Sequence, residues 1–93
     1  MTLAMAAPDT SHDPATLGLR ALIWTLAEPS RAQRLLDTTG LSPADLKASA
    51  GDPTTLAALL GFLAAHEPDL VACAAEIGVR PDALVAAHDA LEA

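Results

Sequence analysis

Leu35-Leu36-Asp37-Thr38-Thr39-Gly40-Leu41-Ser42-Pro43-Ala44-Asp45-Leu46 reads as the end of one helix and the start of the next. Gly takes the left-handed conformation just past a helix end, Ser is a strong N-cap, and Pro carries a preset φ for the first helical position. The same punctuation returns 38 residues on, as Gly78-Val79-Arg80-Pro81. Asp13-Pro14 returns as Asp52-Pro53 and Glu28-Pro29 as Glu67-Pro68, each 39 residues on, so only Pro8 of the seven prolines lacks a counterpart. The marks divide the chain into six short helices.

The spacing of apolar residues fills in those helices. The first runs from the Asp13 cap to about Ala27. It carries two apolar stripes, one of Leu19, Leu22, Ile23 and Leu26, the other of Leu17, Ala21 and Trp24. The second runs from Pro29 to about Thr39 with Leu35 and Leu36 inward, and the third from Pro43 to about Ala50 with Leu46 inward. The fourth carries Leu56, Leu59, Leu60 and Leu63 with Phe62 beside them. Pro68 opens a fifth, whose inner face is Leu70, Cys73, Ala74 and Ile77. Pro81 opens a sixth, with Leu84, Ala87 and Leu91 inward. The expected fold is therefore an all-α compact bundle of about six helices, arranged as two similar three-helix units over residues 13–50 and 52–92. Residues 1–12, with no periodic apolar pattern, are expected to form a flexible N-terminal segment. Chance spacing in an Ala- and Leu-rich helical chain is the alternative to duplication. Two units are too few for an extended solenoid, so a closed two-fold bundle is expected.

At 93 residues, the chain makes one domain of 13–93, with 52% hydrophobic residues to fill a core. Area scaling gives a burial of about 60–65% on folding, enough to fold alone with little margin, so oligomerisation would help. Twelve acidic and five basic residues give a net charge of -7. Residues 53–93 are the more acidic part, with six acids and one base. Such a surface repels phosphate backbones, so no nucleic-acid partner is expected. A single cysteine excludes an internal disulfide, no signal-peptide pattern opens the chain, and the apolar runs are too short to span a bilayer. The expected location is cytoplasmic, away from membranes.

The residues that carry chemistry elsewhere are dispersed here. His12, His66 and His88 are the only imidazoles. None is assigned a second ligand at the i, i+4 spacing of a zinc helix. Cys73 lies on the apolar stripe with Leu70 and Ile77, where a cysteine acts as a small hydrophobe. Ser42 is a cap, no nucleophile elbow occurs, and Gly40, Gly51 and Gly78 end helices rather than cradling a phosphate. These features point to no catalytic, metal or cofactor site. Leu35 to Leu46 also has the outline of a helix-turn-helix, repeated at Ala74 to Leu84. The would-be recognition helices offer Asp45 and Lys47 in one case and Asp82, His88 and Asp89 in the other, too few cations to read DNA.

Ala21-Leu22-Ile23-Trp24, Leu35 to Leu46 with its Thr-Gly-Leu-x-Pro turn, and Asp52-Pro53 leading to Leu59-Leu60-Gly61-Phe62-Leu63 resemble a family of short alphaproteobacterial proteins classed as a domain of unknown function. The resemblance covers about residues 15–90. Where that family has an arginine after the Leu of the third helix, this chain has Lys47, which keeps the charge. A small cytoplasmic helical protein is implied, with no catalytic residue to transfer.

The expectation is a non-enzymatic helical module that meets a protein partner or its own copies, with a weak nucleic-acid binder using the two corners as the alternative. Leu19, Ile23 and Leu26 are the candidate partner surface. Trp24, Phe62, Gly40 and Gly78 are the candidate structural residues, with the Trp24 stripe packed inward against the fourth helix.

Overall fold

The computed structural model describes residues 13–93, so the expectation for residues 1–12 lies outside the described residues. Six α-helices follow in order: α1 Pro14–Leu26, α2 Pro29–Thr39, α3 Pro43–Ala48, α4 Pro53–Ala64, α5 Glu67–Ile77 and α6 Pro81–Glu92. No strand occurs among the described residues.

Five of the six helices begin at the proline that the sequence marks, and α1 to α4 carry a side-chain cap. The Asp13 carboxylate accepts the Thr16 N–H at 3.1 Å, and Pro14 is the first residue of α1. The Glu28 carboxylate accepts the Arg31 N–H at 2.7 Å and the Ser30 hydroxyl. Those bonds hold its pKa below the ordinary carboxylate value, the Ser30 hydroxyl contributing most. At α3 the Ser42 hydroxyl accepts the Asp45 N–H at 3.1 Å while Asp45 accepts the Ser42 N–H at 3.4 Å, a reciprocal capping box. Asp52 caps α4 through the Thr54 N–H.

Two details differ from the sequence reading. First, α3 stops at Ala48: the Ser49 backbone leaves the helical region, and its hydroxyl donates to the Asp45 carbonyl and accepts from Thr55, tying the corner to α4. Second, α5 starts one residue before Pro68, with Glu67 and Asp69 in its first turn, where acidic groups meet the positive end of the helix dipole.

The ends follow the glycines. Gly40 and Gly78 sit at φ 77° and 80°, in the left-handed region. Their N–H groups bond back to Leu36 and to Ala74 and Ala75.

The core forms around α4, which buries Thr55, Leu56, Ala57, Leu59, Leu60, Phe62 and Leu63. Its most extensive neighbour is α6, followed by α1. Gly18 lets α1 and α4 approach closely, since a Cβ there would stand 3.0 Å from the Leu56 Cβ. The α5 residues Leu70, Cys73 and Ala74 and the α6 residues Leu84 and Ala87 close the same cluster. Burying each leucine of this group contributes about 1.5–3 kcal/mol.

The repeat is local. Proline starts and the Gly40 and Gly78 turns recur, whereas the side-chain caps of α2 and α3 have no counterpart at α5 and α6, and burial at corresponding positions diverges: Ile23 corresponds to Phe62, but one is 68% exposed and the other 9%. The third helices also differ. The 12-residue α6 packs against α4, α1 and α5 and buries Leu84 and Ala87, while the 6-residue α3 places only Leu46 in the core. The two units thus share punctuation without sharing the packing that a two-fold bundle requires.

Candidate interaction face

The inward side of α1 is Leu17, Gly18, Ala21, Leu22 and Thr25, a line that runs between the two apolar stripes of the sequence. Thr25 is fully buried because its hydroxyl donates to the Ala21 carbonyl at 2.9 Å, which satisfies it within the helix. With that line inward, Leu19, Ile23 and Leu26 turn outward, at 39%, 68% and 42% exposure. Trp24 falls on the opposite margin and is half-buried at the rim of the core, not inside it as the stripe had suggested. Phe62 is buried.

The outward leucines and Ile23 do not stand alone. The Gly40 turn folds α3 back beside α1 and α2, and the three helices enclose an open apolar groove of about 600 Å³. Leu22 and Leu46 are its buried floor. Leu19, Ile23 and Leu26 form one wall, and Ala32, Leu36, Pro43 and Ala50 complete it. Among the described residues, Lys47 is the only charged one in that lining.

Ile23 also borders a second, shallower groove, which it shares with Arg20, Trp24, Ala27, Glu76 and Ile77. It is therefore a ridge between two depressions.

The arginines of α1 and α2 are occupied with structure. Arg20 donates from Nη2 to the Ile77 carbonyl at 2.9 Å, meeting the negative end of α5. Arg31 lies 3.7 Å from the Trp24 ring centroid and donates from Nη2 to the Trp24 carbonyl at 2.6 Å. Arg34 pairs with Asp69 at 3.1 Å. The helix-turn-helix outline at Leu35 to Leu46 is a corner that builds the groove, with Leu35 and Leu46 buried and Pro43 and Lys47 on its lining.

The other chemistry-bearing residues lie elsewhere. His12 is outside the described residues. His66 stands 3.4 Å from Asp69. His88 lies 3.1 Å from Asp89 and 3.6 Å from Glu92, an i, i+4 carboxylate that the sequence reading missed. Among the described residues, no group of three His, Cys, Asp or Glu side chains is placed to hold a metal ion. Cys73 is fully buried, and desolvation pushes its thiol up to about 11. No single helix among the described residues is long and apolar enough to cross a membrane.

A family model described as "Protein of unknown function (DUF3572)" matches residues 11–93, and the chain belongs to that family. No curated protein matches the chain, and no solved structure does.

Proposed function

We propose that this protein is a non-enzymatic helical interaction module of the cytoplasm, and that it binds protein through the α1–α3 groove. The observation that carries the reading is the exposure of Leu19, Ile23 and Leu26 along one wall of an apolar groove whose lining holds one charge. A contiguous apolar depression of this kind is costly to leave in water and suits an amphipathic segment laid into it.

Capture from cell extract with the wild-type chain, Ile23→Glu and Val71→Glu, each with and without nuclease, tests the proposal. Both substitutions add one negative charge at an exposed apolar residue, but only Ile23 borders the groove. Proteins retained by wild type and Val71→Glu, lost by Ile23→Glu and indifferent to nuclease are expected. Equal retention by all three chains would overturn the reading.

A further inference from the structure

We infer that the occupant of the α1–α3 groove is a second copy of this chain, paired about a two-fold axis with the Ile23 ridge of each copy in the groove of the other. The inference rests on the reading of this face as a binding surface and names its partner.

Shape is the first argument. A two-fold interface must be self-complementary, because the same patch supplies both sides. Here the ridge and the groove lie side by side, with Ile23 at 68% exposure standing between two depressions. A foreign helix laid in the groove fills the depression but leaves most of the Ile23 ridge without a pocket. A second copy brings a pocket for each ridge. Leu19, Ile23 and Leu26 also fall at i, i+4 and i+7, the spacing by which one helix seats against another.

Charge is the second argument and is independent of shape. Residues 13–50 carry four basic and four acidic residues, whereas residues 51–93 carry seven acidic residues and one basic. Two chains of net charge -7 repel each other, and they do so least where each is locally neutral. The α1–α3 face is that place. Pairing there keeps most of the acidic residues of α4 to α6 away from the contact and leaves Glu76 at its margin, in the depression that Ile23 shares with Arg20.

Sedimentation of the full chain across the micromolar range, at low and at high salt, tests the inference. The expected result is a species of twice the 9.5 kDa chain mass, tightening as salt screens the residual repulsion. Ile23→Glu should weaken the pair about thirty-fold or more, the effect of removing a central anchor. Its far-UV circular dichroism should stay unchanged, because residue 23 faces away from the core. Val71→Glu should pair as wild type does, which separates position from added charge. In mixed isotope-labelled samples, Ile23 methyl protons should show intermolecular contacts to Leu36 and Leu46.

A chain that stays monomeric at every concentration would overturn the inference, as would a pair that Ile23→Glu leaves intact. If the monomer still captures another protein through Ile23, this inference fails while the reading of the face as a binding surface stands.

Discussion

Gly18 of α1 lies so close to Leu56 of α4 that a Cβ on residue 18 would stand 3.0 Å from the Leu56 Cβ and 3.4 Å from both its methyl groups. The contact is at the branch root, which cannot swing aside as a side-chain tip can. Overpacking here costs about 1–3 kcal/mol, against a gain of up to about 1 kcal/mol in helix propensity. Gly18→Ala should therefore lower stability by about 1–2 kcal/mol net in a denaturant titration. Gly61→Ala is the matching case on α4, where the nearest atom is His88 Nε2 at 3.4 Å, the movable end of a side chain. That substitution should leave stability unchanged or raise it by up to about 1 kcal/mol. A Gly18→Ala chain more stable than Gly61→Ala would contradict the close approach of α1 and α4.

The two left-handed glycines give a second test, since among the described residues nothing lies within 4 Å of a Cβ at Gly40 or Gly78. Any loss there comes from the backbone alone. Gly40→Ala and Gly78→Ala should each cost about 1 kcal/mol. Gly51 is outside the positive-φ set and is equally open, so Gly51→Ala should change stability by less than about 0.5 kcal/mol. Thermal melts of the three variants side by side would show the contrast or its absence.

Cys73 makes stability depend on alkaline pH. Burial raises its thiol in the folded chain to about 11 from an ordinary 9.0, so the unfolded chain loses that proton first. The stabilising difference is fully present below pH 9 and declines as pH rises through about 11. Cys73→Ala should lack this thiol-linked part of the slope when the two chains are unfolded in urea between those pH values. A thiol reagent at neutral pH should modify the native chain only as fast as it opens.

Helix boundaries were legible because Asp-Pro, Ser-Pro and Gly act locally, and a cap forms with atoms two or three residues away wherever the helix later packs. Which side of α1 turns inward was not. An apolar count selects Leu19, Leu22, Ile23 and Leu26, or Leu17, Ala21 and Trp24, yet the inward line includes Gly18 and Thr25. Gly18 is chosen for closeness to Leu56, and Thr25 passes as apolar because its hydroxyl bonds to Ala21. Neither property shows in hydrophobicity. The same blind spot concealed Trp24 as a marginal residue, since a line through Gly18 and Thr25 leaves it at the rim, where Arg31 of α2 stacks on it. Leu19, Ile23 and Leu26 were legible as an excess of apolar width on α1, but the groove beside them was not. Its other walls come from α2 and α3, and only the Gly40 turn sets them against α1.

The face itself is tested most directly by methyl-resolved NMR of the full chain as it associates, whether with a captured protein or with itself. Leu19, Ile23 and Leu26 line the groove, while Val71 and Val85 are comparably exposed on α5 and α6. The methyl signals of Leu19, Ile23 and Leu26 should shift or broaden on association while those of Val71 and Val85 hold still. Movement of the two valines with the α1 signals unchanged would place the binding surface on the far side of the molecule and contradict its placement at the groove.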